Sequence, residues 1–517
     1  MTDPASASGA HRRLAWAAWA LIALGALLRV AGAGAWNPYW TDEFNHVLGA
    51  SAYLEGRGMV LPTGVPVDRA PAYTGLVAAS FAVFGEHELA ARLPSIVFSA
   101  GALVLLWVYG ARVLGPVAAL AALFLFATDE WIVRWGRTCR MYAPMQFANI
   151  GVLLLAMDLA RNWQDHSRRK RALLAALAAA AALWGLAMHI LFGTALAGVL
   201  CGAWLVAVGR SVGHRAARRR LLALGLVAVA GLSLALEAIP RLPGYIRLGY
   251  DYVFGDETKW GIVDLLSQSG ALLPIGVAWL LWARRRDPAA HLLAGGVAFG
   301  VVFFFRFSVF QSDRYYLVFQ DMYLLLAAML LGELWERRGA LARRWGAAPR
   351  WAPAAAFALV VAALLYDSSH ERLLSSPGSY ARRQRNAEWS QAVRAAWEAS
   401  SPGDAFAATE QFALYYYLPP EGRSRPLRLL RDRDLALMYP RAIVRDGTTY
   451  ERLTGMPLID SLEKLAVGVP PGGALWLVVD DSKWGNRLSR PLRDAIESRA
   501  EEIAEFHRVR VLRIPGG

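Results

Sequence analysis

An all-α polytopic membrane bundle of about eleven transmembrane helices, followed by a small soluble α/β domain, is the fold class the sequence predicts. Three observations predict it. The 517-residue chain is 56% hydrophobic and only 19% charged, where a soluble chain carries about a quarter charged residues. Its apolar residues are blocked into stretches such as Leu14–Val30, Leu93–Ala111, Ala172–Met188 and Leu221–Ile239, with few or no charges in each. Short basic runs separate those stretches, and the composition changes after Tyr366.

About 20 apolar residues at ~1.5 Å rise cross the ~30 Å hydrocarbon layer. In lipid the backbone has no partner but itself, so repeated segments of that length imply a helical bundle. Spans are expected near 14–36, 93–112, 116–128, 141–160, 172–188, 190–209, 221–239, 262–283, 291–306, 315–335 and 351–366. With the N-terminus in the cytoplasm, the strongly basic connections Arg161–Arg171, Arg210–Arg220, Arg284–Arg286 and Arg337–Arg350 all fall inside, as the positive-inside rule demands. The loops 37–70, 128–140, 240–260 and 307–314 then lie outside, and an odd number of spans exports the C-terminal region. This places the chain in the inner (plasma) membrane. Leu14–Val30 lacks a small-residue cleavage site and reads as a retained first span. Pro71–Phe84 is short for a span, and treating it as one would move the basic clusters outside. It is expected at the interface or as a re-entrant piece.

The net charge of +14 fits this topology better than nucleic acid binding, because no aromatic-interleaved basic face is present. Cys139 and Cys201 form no disulfide framework or zinc pattern. The expected domains are a membrane module over 1–366, whose outer loop 37–92 carries an acidic motif, and an exported domain over 367–517. In the latter, Asp404–Thr409, Ala474–Val479 and Val509–Ile514 read as buried strands, and Arg382–Glu398 and Arg490–Phe506 have helical spacing. Pro470-Pro471-Gly472-Gly473 reads as a turn rather than a phosphate loop.

The candidate chemistry gathers on the outer side. In Tyr39-Trp40-Thr41-Asp42-Glu43, Pro38 and Thr41 suggest a turn and cap, with Asp42 and Glu43 opening a short helix. Two readings stand side by side: acids that only favour a helix N-terminus, or a catalytic carboxylate with a positioning neighbour. Successive helical residues point ~100° apart, so the two acids do not flank one bond as a glycosidase pair does. Arginines recur in the outer segments at Arg69, Arg92, Arg134, Arg137, Arg140 and Arg314. Beside hydrocarbon they are either functional or interfacial snorkelling side chains, and guanidinium suits bidentate phosphate contacts.

Tyr39-Trp40-Thr41-Asp42-Glu43 at the end of a first span resembles the opening of the GT-C membrane glycosyltransferases. The family-39 enzymes, which include protein O-mannosyltransferases and the lipid A aminoarabinose transferase, are the most similar. Arg69-Ala70-Pro71-Ala72-Tyr73 resembles their Lys-Pro-Pro-Leu-Tyr segment. Phe84-Gly85-Glu86-His87-Glu88-Leu89-Ala90-Ala91-Arg92-Leu93-Pro94-Ser95 is a long ungapped match. Gly136-Arg137-Thr138-Cys139-Arg140-Met141-Tyr142-Ala143, His189 with Phe192-Gly193, and Asp313-Arg314-Tyr315-Tyr316-Leu317 follow in family order. Val318-Phe319-Gln320 stands where the family carries its proline. The C-terminal domain carries no family motif.

The resemblance implies a polyprenyl-phosphate-linked sugar donor, inversion at the anomeric carbon, and a glycan, lipid or protein acceptor. It implies Asp42 as base, with Glu43 orienting the acceptor or its neighbours, and Arg69 and Arg314, helped by Tyr315, on the donor phosphate. Arg140 and Tyr142 either anchor the loop under the site or contact phosphate. Trp40, His189 and Arg92 are weaker substrate-binding candidates, and a lone histidine at a span end is more often a packed residue. No cofactor is required: Asp42, Glu43 and His46 could supply ligands to a divalent metal, but three close residues make a poor complete site. Tyr415-Tyr416-Tyr417 could stack on sugar, although tyrosines beside a strand usually pack. A flippase of lipid-linked intermediates, or a polysaccharide polymerase or ligase, are the alternatives. The first would need mid-span charges or broken helices in paired halves, which the sequence does not show.

Overall fold

The computed structural model describes residues 4–31, 33–34, 39, 42–67, 69–189, 192–210, 287–306, 317–344, 387–432, 443–446 and 448–516. Before residue 345 the described helices are α1 Pro4–Val30, α2 Phe44–Leu54, α3 Pro71–Phe84, α4 Glu88–Val108, α5 Gly110–Leu114, α6 Pro116–Thr128, α7 Glu130–Gly136, α8 Tyr142–Asn162, α9 Arg168–Met188, α10 Phe192–Arg210, α11 Pro288–Arg306 and α12 Leu317–Arg344. The later elements are α13 Trp389–Ala399, β1 Ala405–Ala408, α14 Gln411–Tyr417, α15 Pro420–Arg423, β2 Leu427–Leu430, β3 Ile443–Arg445, β4 Thr448–Tyr450, β5 Leu458–Ile459, α16 Leu462–Gly468, β6 Ala474–Asp480, α17 Asp481–Arg487, α18 Arg490–Glu497, β7 Glu501–Phe506 and β8 Val509–Pro515. The chain divides into two compact units.

The first unit comprises Met1–Arg29, Ser95–Gly136 and Met141–Tyr380. Among the described residues, Arg12–Val30, Glu88–Leu114, Tyr142–Asn162 and Arg168–Met188 are long and apolar enough to cross a membrane. α6 and α7 pass the same test as a pair bent by 67°. The expected spans 190–209, 291–306 and 315–335 fall on α10, α11 and α12. Those at 221–239, 262–283 and 351–366 lie outside the described residues.

Close packing in this unit depends on small residues, as membrane helices require. A Cβ at Gly202 on α10 would sit 2.1 Å from the backbone oxygen of Leu292 on α11. The α6–α7 break leaves carbonyls at the end of α6 without intrahelical partners, and the fully buried Arg29 takes them. Its Nη2 donates to Phe126 O at 2.9 Å, and its Nε to Ser99 Oγ at 2.6 Å. Asp321 on α12, also fully buried, accepts from Gln146 Nε2 at 2.7 Å and Asn149 Nδ2 at 2.8 Å on α8. These two amides give hydrogen-bond partners to a carboxyl group that burial would otherwise penalise.

The second unit joins Val30–Pro94 and Arg137–Arg140 to Ala381–Gly517. Its six-stranded sheet runs β5-β2-β1-β6-β8-β7. β5, β2, β1 and β6 are parallel, while β8 is antiparallel to both β6 and β7. Parallel strands covered on both faces need continuous apolar runs. Ala474–Asp480 is buried at every position, as is Ala405–Ala408. Asp404, just before β1, accepts from Ala474 N at 2.7 Å, Trp476 Nε1 at 2.8 Å and Ser401 N at 2.8 Å. Burial pushes that carboxyl up, but the three donors outweigh it and hold it below its ordinary value.

One expectation is corrected here. Arg490–Phe506 is not one helix: α18 ends at Glu497, and Glu501–Phe506 is an edge strand paired with β8. Tertiary pairing overrides the helical spacing, and the polar Glu501, Glu502 and Glu505 suit an exposed edge. The expected strands at 404–409, 474–479 and 509–514 coincide with β1, β6 and β8.

Candidate active site

All of the first-loop chemistry lies within the second unit. Glu43 caps α2 in the right-handed helical conformation, and Asp42 precedes it in a turn. α2 is buried along most of its length, through Phe44, His46, Val47, Leu48, Gly49, Ala50 and Ala52. Its entry point is therefore fixed by packing rather than by a side-chain cap.

The two adjacent acids occupy different environments. Glu43 is fully buried. Arg92 Nε donates to its Oε1 at 2.9 Å and Arg92 Nη2 to its Oε2 at 2.7 Å. Cys139 N donates to the same Oε1 at 2.6 Å. This is a bidentate, desolvated ion pair reinforced by a backbone donor, the strong form of the interaction. Burial, and then the charge of Glu43, pushes the Cys139 thiol up. Asp42 keeps 22% of its side chain exposed, with one oxygen 3.7 Å from Arg140 Nη2. Arg140 is 1% exposed and donates through Nη1 to the backbone oxygen of Asp42 at 2.9 Å. One guanidinium thus fixes both the main chain and the charge environment of the accessible acid.

His46, one helical turn beyond Asp42, is fully buried. Its Nδ1 lies 2.9 Å from Thr74 Oγ1, and its ring meets Tyr73 edge-on at 4.9 Å. Burial and then the cationic fields of Arg140 and Arg69 hold its pKa well below 6.5. Arg69 is exposed and stands before Ala70, whose φ of 47° is left-handed. A non-glycine residue in that region is uncommon and costs strain, of the kind found at functional sites.

Tyr142 and His189 belong to the first unit and come together there, with rings stacked at 5.7 Å. Trp135 meets Tyr142 edge-on at 4.7 Å. His189 caps the end of α9, its amide donating to Gly185 O at 3.0 Å. Trp40, Arg314 and Tyr315 lie outside the described residues. Among the described residues no group of three or more His, Cys, Asp or Glu is placed to hold a metal ion.

The aromatic run resolves toward packing. Tyr416 and Tyr417 meet the Tyr39 ring at 5.2 and 6.4 Å, and burial pushes both their hydroxyls up. Sequence reasoning missed that Arg92 and the Cys139 amide are the partners of Glu43. No local signal marks a contact between positions 43, 92 and 139.

By comparison with solved structures, the chain shares its fold with an ArnT and an archaeal oligosaccharyltransferase. It is similar to ArnT from Cupriavidus metallidurans bound to undecaprenyl phosphate, at 14% identity and TM-score 0.56, over 96% of this chain and 98% of that one. It is also similar to the archaeal oligosaccharyltransferase AglB from Archaeoglobus fulgidus, in complex with an inhibitory peptide and a dolichol-phosphate. That match has 14% identity and TM-score 0.54, over 90% of this chain and 69% of the other. A family model described as dolichyl-phosphate-mannose-protein mannosyltransferase matches residues 68–235. That stretch includes Arg69, Arg92, Arg140, Tyr142 and His189. No curated protein sequence matches the chain significantly.

Proposed function

We propose that the chain is an inverting glycosyltransferase of the inner membrane that moves a hexosyl or pentosyl group from a polyprenyl-phosphate donor to an acceptor on the extracytoplasmic face. The observation that carries this reading is the division of labour between neighbouring acids. Glu43 is consumed by Arg92 and the Cys139 amide, while Asp42 stays partly exposed on a main chain pinned by Arg140. The ligands bound to the structural neighbours, undecaprenyl phosphate and a dolichol-phosphate, support the donor class.

In this reading Asp42 takes the proton of the acceptor hydroxyl. The acceptor oxygen attacks the anomeric carbon on the face opposite the phosphate. The bond from that carbon to the phosphate oxygen breaks, its electron pair leaves with the polyprenyl phosphate, and the glycoside forms with inverted configuration. A phosphate leaving group needs cations to absorb charge rather than an acid. Arg69 and Arg314, with Tyr315, supply them. Glu43 and Arg92 are positioning residues, Arg140 anchors Asp42, Tyr142 is a candidate contact of the donor phosphate, and Trp40 and His189 are candidate substrate contacts. The architecture proposed with it has eleven spans, a cytoplasmic N-terminus, a catalytic module over 1–366 and an extracytoplasmic domain over 367–517. Incubating the purified protein with undecaprenyl-phosphate-linked sugars and an envelope lipid extract should release undecaprenyl phosphate and give an anomerically inverted product by NMR. Movement of intact donor across a vesicle membrane, without product, would favour a flippase instead.

A further inference from the structure

The outer loop that carries Asp42 at one end and Arg69 at the other is gripped at two places by the C-terminal chain, all within one compact unit. At the Asp42 end, Tyr39 N donates to Tyr417 Oη at 3.1 Å, and Tyr417 Oη donates to Glu88 Oε1 at 3.4 Å. The Tyr39 ring packs on Phe44 at 5.6 Å and on Tyr416 at 5.2 Å, and Phe44 packs on Phe412 at 5.9 Å. The guanidinium of Arg92 lies 5.4 Å from the centre of the Tyr39 ring and holds Glu43, the neighbour of Asp42. A continuous set of contacts therefore runs from Tyr417 to the proposed base.

At the other end, Thr63 Oγ1 donates to the backbone oxygens of Arg452 at 2.8 Å and Leu453 at 3.2 Å. Thr63 N also donates to Leu453 O at 3.4 Å. Thr63 sits on a small closed loop: Leu61 N donates to Val65 O at 2.8 Å, and Val67 N to Met59 O at 2.9 Å. That loop leads directly to Arg69. The 452–454 turn is itself tied by hydrogen bonds to Glu451. The fully buried Glu451 accepts from Leu453 N at 2.9 Å and Thr454 N at 2.6 Å. Both grips are rooted in one sheet. α14, which carries Tyr417, follows β1, and Pro457, just past the turn, accepts from Leu429 N of β2 at 3.0 Å.

We infer that the C-terminal sheet is a clamp that fixes the two ends of the first outer loop relative to one another, with Tyr417 and Thr63 as positioning residues for Asp42 and Arg69. Two contacts rooted in one sheet set a separation that a free loop of this length would not keep. Small errors in such a separation cost large factors in rate. The inference rests on the proposed function for what the loop does, but not for its being clamped.

The test uses full-length protein in nanodiscs, with undecaprenyl phosphate as the probe and Tyr417→Phe, Thr63→Val and Thr63→Ser as variants. Thr63→Val should weaken probe binding about fivefold, the effect of one lost hydrogen bond, and Thr63→Ser should restore it. Tyr417→Phe should speed amide exchange at residues 39–48 while leaving α8 unchanged. Unaltered exchange in both Tyr417→Phe and Thr63→Val would overturn the clamp. So would equal probe affinity in Thr63→Val and wild type. Failure of the wild type to bind the probe would count against the donor reading, and the exchange result alone would then uphold or overturn the clamp.

Discussion

Asp42 and Glu43 are covalent neighbours with opposite environments, and the difference comes from where the α2 entry points each side chain. Replacing Glu43 by Gln leaves Arg92 buried without its charge partner, which costs about 3–5 kcal/mol. Thermal unfolding in detergent should show a large loss in melting temperature. His46 gives a pH prediction. Its folded pKa is depressed by burial and by Arg140 and Arg69, so the unfolded chain binds a proton that the folded chain refuses. Its contribution is fully present above the unfolded value of 6.5 and is lost as pH falls toward the folded value, at up to about 1.4 kcal/mol per pH unit. Melting curves from pH 7.5 to 5.5 should fall less steeply for His46→Gln than for wild type. The acids were legible in the sequence because they sit among aromatic residues after an apolar span. The partner of Glu43 was not, because Arg92 reads locally as one more cation beside a span.

At the scale of elements, the apolar blocks led to α1, α4, α8 and α9 almost directly, since length and charge-poor composition are themselves the physical requirement for crossing lipid, while α10 and α11 are shorter apolar helices. The α6–α7 break was hidden, because its stabiliser is Arg29, far away in the chain. Arg29→Met would strip donors from Phe126 O and Ala127 O. Each buried carbonyl so orphaned costs about 1–3 kcal/mol, and limited proteolysis should open the chain near residue 129. Gly202→Ala tests the close approach of α10 and α11. With the Leu292 carbonyl 2.1 Å from the new Cβ, backbone must move, at a cost of about 1–3 kcal/mol, read as a lower melting temperature. β7 was misread as helix for a different reason: apolar spacing over a few residues fits both periods, and only its pairing with β8 decides.

For the molecule as a whole, the sequence distinguishes long apolar helices from a C-terminal segment that carries strands, because their compositions differ. It did not reveal that the first outer loop packs into the same compact unit as the C-terminal sheet, since that grouping depends on contacts hundreds of residues apart. The central claim is that an accessible carboxylate at position 42 serves as the base for transfer from a lipid-linked sugar. The most direct measurement is single-turnover transfer from one undecaprenyl-phosphate-linked sugar by wild type and Asp42→Asn, with equal donor occupancy checked by native mass spectrometry. The account predicts unchanged donor binding with transfer reduced by at least about a hundredfold. Equal transfer rates in the two proteins would contradict it.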